Sequence, residues 1–424
     1  MAASALSRFG ARIRQGKVPL AVLLFLHCAA LAAVTVPMSN VLHAHGFSAG
    51  TITWAFCASG IAAFISPMLV GSLADRSVAP ERLMAGICFA SAFFLALTFF
   101  SVDRGWGEGW FLGLMMIYAL MMAPGFGLLT SIVLSRLRNA QREFGLLRAW
   151  ATWGWLSASL GVSLVLHADH STRSAYGAAV IYVIEGCFCL WLKPTRPLAS
   201  RLPRRVRDFF GWEALQLLRH PDHRIIFVTS AVFSAVLSSF YRYSPEHLRE
   251  LGNAAPSAVM STAQMLEGVA MVTLSLLLAR LRLKWVLAAG LLGGVLRLWL
   301  MSLNELPWMV ASIALHGPVY VLYFTTSQIY MEQRVADRLR AQGQALLTLL
   351  NSGVGNLSGY VIILWWHGKC ETAAGMDWAR FWQGITAVCA VVAVLFLILY
   401  RGRKGTPSAS AAAMVPSLNP LPKD

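Results

Sequence analysis

The sequence predicts an all-α membrane protein whose twelve transmembrane helices form two halves of six. Three observations predict it. The composition is rich in apolar residues and poor in charge, twelve apolar stretches reach bilayer-spanning length, and lysine and arginine alternate from loop to loop. Apolar residues make up 57% of the 424 and charged residues 13%, against about 25% charged in a soluble domain. A water-soluble chain of this length could not cover its surface with so few charges. Lipid is the solvent that the excess apolar surface requires.

The spans, numbered α1 to α12, cover 18–42, 49–72, 82–101, 109–134, 146–167, 174–193, 224–247, 257–280, 284–303, 307–331, 341–366 and 379–400. At 1.5 Å per residue each can cross the roughly 30 Å hydrocarbon layer. The run from Pro19 to Leu42 follows Arg8, Arg12, Arg14 and Lys17. It exceeds a signal-peptide core and reads as a retained first helix. The segment 194–223 holds Pro194, Pro197, Pro203, Pro221 and many arginines. It separates an N-terminal half, 1–193, from a C-terminal half, 224–401. The Ala/Ser/Pro-rich tail, 402–424, is expected to be disordered and cytoplasmic.

Charge sets the orientation. The N-terminus, the loops with Arg76 and Arg82, with Arg136, Arg138 and Arg142, with Arg280, Arg282 and Lys284, and with Arg334, Arg338 and Arg340 are basic, as are the central loop and the tail. The alternate loops hold only Arg104, Arg173, Arg249, Lys369 and Arg380. Both termini and the central loop are therefore expected in the cytoplasm, with the protein in the inner membrane. The net charge of +16 is this positive-inside signal, not a nucleic-acid footprint. The seven cysteines are odd in number and scattered through apolar runs, which argues against a disulfide framework. Cys187 and Cys189 lack a nearby histidine and read as packing. No nucleotide loop, metal cluster or nucleophile arrangement is evident. The expectation is no enzyme, no cofactor and no metal, and a monomer that deals with a small-molecule substrate, protons and the bilayer.

Between α2 and α3 lies Gly71-Ser-Leu-Ala-Asp75-Arg76, with a further basic residue at Arg82. It resembles the G-x-x-x-D-R loop signature of the major facilitator superfamily. Gly71 would let helices approach closely. Asp75 could cap a helix end and pair with arginines between the halves, biasing one conformational state. The corresponding loop of the second half, Arg280-Leu-Arg282-Leu-Lys284, has no aspartate.

Charges within a span cost about 2.5–3.5 kcal/mol at its centre on insertion scales, so they are the strongest functional clues. Glu267 sits mid-α8 with Gln264 on the same face, suited to hold a proton or a substrate hydroxyl. Arg297 in α9 reads as its ion-pair partner or as a structural lock. His316 and Tyr320 are an i, i+4 pair on α10 that suits a polar ligand. Arg148 begins α5 with Thr152 and Trp155 one and two turns deeper, a hydroxyl and an aromatic ring for a stacking ligand. It could equally snorkel to the interface. Arg242 and Glu246 read as a local surface pair, and Glu185 has no evident partner. Met115, Met116, Met121 and Met122 read as packing, and Pro124-Gly125-Phe126-Gly127 as a bend in α4.

These residues together resemble the nucleoside:proton symporters of the major facilitator superfamily. The likeness rests on Leu147-Arg148-Ala-Trp150-Ala-Thr152-Trp-Gly154-Trp155, Gln264-Met-Leu-Glu267 and Val295-Leu296-Arg297. It continues in His316-Gly317 through Tyr320, Ser327-Gln328-Ile329-Tyr330, Arg340-Ala-Gln342-Gly343-Gln344 and Gly353-Val-Gly355. The resemblance implies alternating-access uptake of a nucleoside or similar polar ring compound with a proton. Arg148, Thr152, Gln264, Glu267 and Tyr320 would be the substrate- and proton-handling groups. The chain departs from the family pattern at Val321, Ser238, Tyr241 and Thr130. The spread of Arg148, Glu267, Arg297 and His316 over four helices is also similar to lactose permease and its relatives, so sugar or aromatic-acid transport is an alternative. A non-transporting membrane sensor would need a signalling domain, which the central loop and tail do not offer.

Overall fold

A computed structural model describes residues 16–74, 79–137, 140–195 and 212–402; the side chains of 66–74, 140–142, 144–146, 212–214, 275, 337, 338 and 341 are not described. Asp75 and Arg76 lie outside the described residues, as do 196–211 of the central loop and 403–424 of the tail. Gly71 falls in α2 and Arg82 is exposed in the first turn of α3.

The described residues form twelve helical rods and a short 3-10 helix, Trp212–Arg219, ahead of the seventh. Four are broken by a residue or two. These are α1 (Lys17–Thr35 and Met38–Ala44), α4 (Glu108–Met122 and Gly125–Leu134), α7 (Pro221–Leu237 and Ser239–Glu250) and α8 (Pro256–Met260 and Thr262–Arg280). Pro37 and Pro124 stand at two of the breaks, because proline removes a backbone donor and clashes with the preceding turn. The unbroken rods are α2 (Ala49–Ala74), α3 (Pro80–Asp103), α6 (Arg173–Trp191), α9 (Leu283–Ser302) and α12 (Trp378–Leu399). Wide π-turns interrupt the remaining three. In α5 Ala140–Leu160 runs into Gly161–Val165, in α10 Leu306–Tyr320 and Thr326–Arg334 flank Val321–Thr325, and in α11 Asp337–Thr348 and Asn356–Cys370 flank Leu349–Gly355. A two-stranded hairpin, β1 (Glu371–Thr372) and β2 (Gly375–Met376), joins α11 to α12.

Ten of the rods are long and apolar enough to cross a bilayer on their own. The other two are α2, of which Ala49–Ile65 is a shorter apolar helix, and α5. The start of α5 is polar, and its Glu143 pairs with Lys17 of α1 at 2.9 Å.

The packing repeats. In the first half α1 packs on α5, α2 on α4 and α3 on α6; in the second α7 packs on α11, α8 on α10 and α9 on α12. Close helix contact falls at glycines in both copies. A Cβ on Gly154 of α5 would strike the Phe25 backbone of α1, and one on Gly359 of α11 would meet Ala235 and Ser238 of α7. Each half has its own apolar core. Phe99, Phe111 and Tyr182 are buried in the first, and Phe233, Phe240, Phe381 and Trp382 in the second. Met115 and Met122 are part of the first core.

The two halves meet mainly through α2 against α11, α5 against α8 and α1 against α7. A set of hydrogen bonds joins the halves at the end of the bundle remote from the start of α1. Ser39 Oγ donates to the Arg242 carbonyl at 2.6 Å and Asn40 Nδ2 to the Pro245 carbonyl at 3.0 Å. Arg242 Nε donates to Thr53 Oγ1 at 3.2 Å, and its Nη2 reaches the Ala49 carbonyl at 3.5 Å. Asp169 accepts from the Ser257 backbone N–H, and Ser163 Oγ from that of Ala258, both at 2.9 Å. Arg249 bonds His43.

Candidate functional site

The site is built where α5 of the first half faces α7, α8 and α10 of the second. Gly317 lets α10 press on α8 at the turn that presents Glu267, since a Cβ there would strike the Ala263 and Glu267 backbones. That contact brings Tyr320, one turn along from His316, to the same side as Glu267. Glu267 is half-buried and Arg148 is exposed. Each lies within electrostatic reach of the other, yet they form no ion pair. Tyr320 lies within reach of both, and Tyr241 of α7 is within reach of Glu267 and Tyr320.

The polar and aromatic lining follows. Gln264 donates from Nε2 to the Tyr241 hydroxyl at 3.3 Å and keeps its Oε1 without a partner. Trp155 stands against Tyr241 with ring centroids 5.6 Å apart. Thr152 is half-buried between Arg148 and Trp155 on α5. The Arg148 guanidinium lies 5.3 Å from the Phe126 ring centroid. The result is a carboxylate, a guanidinium, an amide and hydroxyls arranged among aromatic faces. Such a set is chemically suited to a flat, hydrogen-bonding ring whose substituents both donate and accept.

Of the two readings of Arg297 the contacts fit the lock, and two other expectations, for His316 and for Arg242 with Glu246, need correction. Arg297 does not partner Glu267. It is fully buried, its Nη1 bonds His316 Nδ1, and its guanidinium lies 4.8 Å from the Phe240 ring centroid. It therefore acts as a lock between α9 and α10. His316 is itself buried, stacked on Phe240 at 3.8 Å, so it forms the wall behind Tyr320, not the exposed lining. Arg242 and Glu246 do pair, at 2.5 Å, but not on the surface. Arg242 is fully buried and joins the halves.

Sequence reasoning missed Tyr241 as a lining residue, having noted it only as a departure from the family pattern. Its spacing to Gln264 crosses a helix break and a loop, so no local signal marks the pair. It also missed the partner of Glu185, which is His27 of α1 at 3.0 Å, 158 positions away. Among the described residues no cluster of histidine, cysteine and carboxylates could hold a metal ion.

The sequence pattern of the nucleoside H+ symporters matches residues 15–405. The chain belongs to that family. It is a proton-coupled secondary transporter, not an enzyme. Among its relatives, a putative nucleoside transporter, YegT, of Escherichia coli (strain K12) is 29% identical over 86% of this chain and 89% of its own. The xanthosine permease of the same organism is 25% identical over 86% and 88%. The nucleoside permease NupG, also of that strain, is 24% identical over 84% and 88%. The crystal structure of nucleoside transporter NupG superposes with a TM-score of 0.80 at 21% identity, covering 91% of this chain and 99% of that one. PepTSo, a transporter of the POT family, gives 0.67 at 13% identity over 92% and 97%. These likenesses establish the major facilitator fold.

Proposed function

We propose that this protein imports a nucleoside across the cytoplasmic membrane together with protons. Arg148, Thr152, Trp155, Gln264 and Tyr320, with Tyr241, bind the substrate, and Glu267 carries a proton. The observation that carries this reading is that Arg148 and Glu267 come from opposite halves and lie within electrostatic reach of each other without forming an ion pair. A neutral ring with hydroxyls can bridge them. A proton on Glu267 removes the attraction to Arg148 and lets the halves separate or close with the substrate between them. His316 and Arg297 hold the wall in place. The names of the relatives support a nucleoside as the ring compound.

The positive-inside pattern supports both termini in the cytoplasm, with segments 1–193 and 224–401 rocking as units about the central loop, 194–223. On that orientation the hydrogen-bonded end of the bundle faces outward, and the structure is an inward-facing state. The unit is a monomer in lipid. Gly71, Asp75, Arg76 and Arg82, in and beside the cytoplasmic loop between α2 and α3, stabilise the opposite, outward-facing state.

Purified protein in proteoliposomes should concentrate labelled nucleoside when the outside is acid, and only equilibrate it without a pH gradient. Accumulation of sugars or aromatic acids in place of nucleosides would replace the substrate assignment and leave the proton role standing. No accumulation of any of them would remove the reading.

A further inference from the structure

We infer that His27 and Glu185 form a second proton-binding site, inside the first half and distinct from Glu267. The inference rests on the symport reading only in giving the bound proton a place in the transport cycle. The pair joins α1 to α6, with His27 Nδ1 3.0 Å from Glu185 Oε1. Both side chains are fully buried. Each keeps one polar atom without a partner, Nε2 of His27 and Oε2 of Glu185. In its unloaded form a neutral imidazole donates Nδ1–H to the carboxylate, and the pair has a net charge of −1. One proton taken from water, on Nε2 or on Oε2, brings the pair to zero. The two unpartnered atoms are the places where that proton binds.

The protein makes room for this pair. Helix α4 breaks at Pro124, and the next residue is Gly125. A Cβ on Gly125 would approach Met122 Cε at 2.6 Å and His27 Cε1 at 2.9 Å. The break thus creates the space for the imidazole.

The site also lies next to the substrate space. Phe126, half-buried, has His27 6.2 Å from its ring centroid, and the Arg148 guanidinium 5.3 Å from it. A single aromatic ring stands between the buried pair and the arginine that lines the site. Cys28, the residue after His27, is in electrostatic reach of Glu185, Arg148 and Glu267 together. The other titratable groups around the pair are Cys88 of α3, whose thiol is within hydrogen-bonding reach of the Glu185 carboxylate, Tyr118 of α4, and Tyr182 and Cys189 of α6. Arg148 is the cation among them. A substrate that engages Arg148 changes the charge environment one aromatic ring away from the pair. By linkage, the proton on the pair and the substrate must then affect each other's binding.

The test measures protons moved per nucleoside, from the electrical and pH gradients at which net flux of labelled nucleoside reverses in proteoliposomes. The expected ratio is two for the unsubstituted protein and one for Glu185→Gln. A ratio of one in the unsubstituted protein, or an unchanged ratio in Glu185→Gln, overturns the inference. If Glu185→Gln does not fold, the amide pair His27→Asn with Glu185→Gln preserves a hydrogen bond without the charge and is scored the same way. Infrared difference spectra on acidification provide a readout that needs no transport. A protonated-carboxyl band or an imidazolium band must disappear in Glu185→Gln or His27→Asn but persist in Glu267→Gln. Loss of neither overturns the site. Failure of the unsubstituted protein to accumulate nucleoside, with those bands present, instead overturns the transport reading and leaves the proton site intact.

Discussion

Two arginine–glutamate couples bridge different levels of this molecule, and they are treated in opposite ways. Arg242 and Glu246 are buried, bonded at 2.5 Å and surrounded by further partners in Thr53, Ala49 and the Tyr243 ring. Arg148 and Glu267 are half-buried or exposed, lie on opposite halves, and are held unpaired. A charge pair removed from water is stable only when the remaining donors and acceptors are matched. The first couple meets that condition and is fixed, so it can close one end of the bundle. The second is free to exchange partners, as coupling a proton to a substrate requires. The same residue types give a lock where they are saturated and, on the function proposed above, a working site where they are not.

The largest effect should come from the working couple. Glu267→Gln is expected to abolish accumulation against a gradient while leaving exchange of labelled for unlabelled nucleoside in place. A variant that still concentrates substrate would remove Glu267 from the proton path. Next comes the locked couple. Arg242→Ala strands Glu246 in a buried position, and such a loss costs about 3–5 kcal/mol. Denaturation of the purified protein should show it. Removing both charges as Arg242→Met with Glu246→Leu should recover most of that loss. If the double variant is no more stable than the single one, the contribution of Arg242 lies in its bonds to Thr53 and Ala49, not in the ion pair.

Arg148→Lys keeps the charge and tests whether the site uses the planar guanidinium. An ammonium cannot bond a ring edge in two places or lie flat on Phe126. Apparent affinity should fall by roughly tenfold, about 1.4 kcal/mol, with the unfolding transition unchanged because the side chain is exposed. Equal affinity would assign Arg148 to the interface, the snorkelling reading that position alone allowed.

The contrast between the couples also marks what the sequence makes legible. The twelve spans are visible because apolar runs of fixed length are a property of neighbours in the chain. Glu267, Gln264, Arg148 and Tyr320 stood out because a polar side chain in such a run is rare. The boundaries of the chemistry were not visible. Arg242 and Glu246 have the spacing of a surface pair, and only the placement of Thr53 and Ala49, almost two hundred positions earlier, makes them a buried junction. Arg297 read equally as a partner for Glu267, because both are charges in adjacent helices, or as a structural lock. In the fold its Nη1 is taken by His316 and its face by Phe240. His27 was unremarkable in an apolar run until α6 brought Glu185 against it. Each miss is a contact between distant segments, where hydropathy and helical period carry no information.

The smallest effect tests whether the closed end sets the balance between states or only follows it. Asn40 Nδ2 donates to the Pro245 carbonyl across the halves, and its Oδ1 has no partner. Asn40→Ala therefore removes one inter-half bond and no ion pair. A hydrogen bond of this kind contributes about 0.5–1.5 kcal/mol, so the state with this end closed should lose roughly two- to tenfold in population. The bond exists only when the halves meet here. Its loss should thus change the balance of states without changing either half's own packing. Measured from the two sides of the membrane, the apparent affinities for nucleoside should shift in opposite directions. The reversal gradient, which depends only on protons moved per substrate, should stay where it was. If both affinities fall together, Asn40 supports the substrate site itself and the closed end is not an independent element. If the affinities separate as expected, adding Ser39→Ala, which removes the 2.6 Å bond to the Arg242 carbonyl, should widen the separation by a similar factor. Two bonds from neighbouring residues to carbonyls one turn apart on one helix would then act on a single opening step, and any departure from additivity measures their coupling.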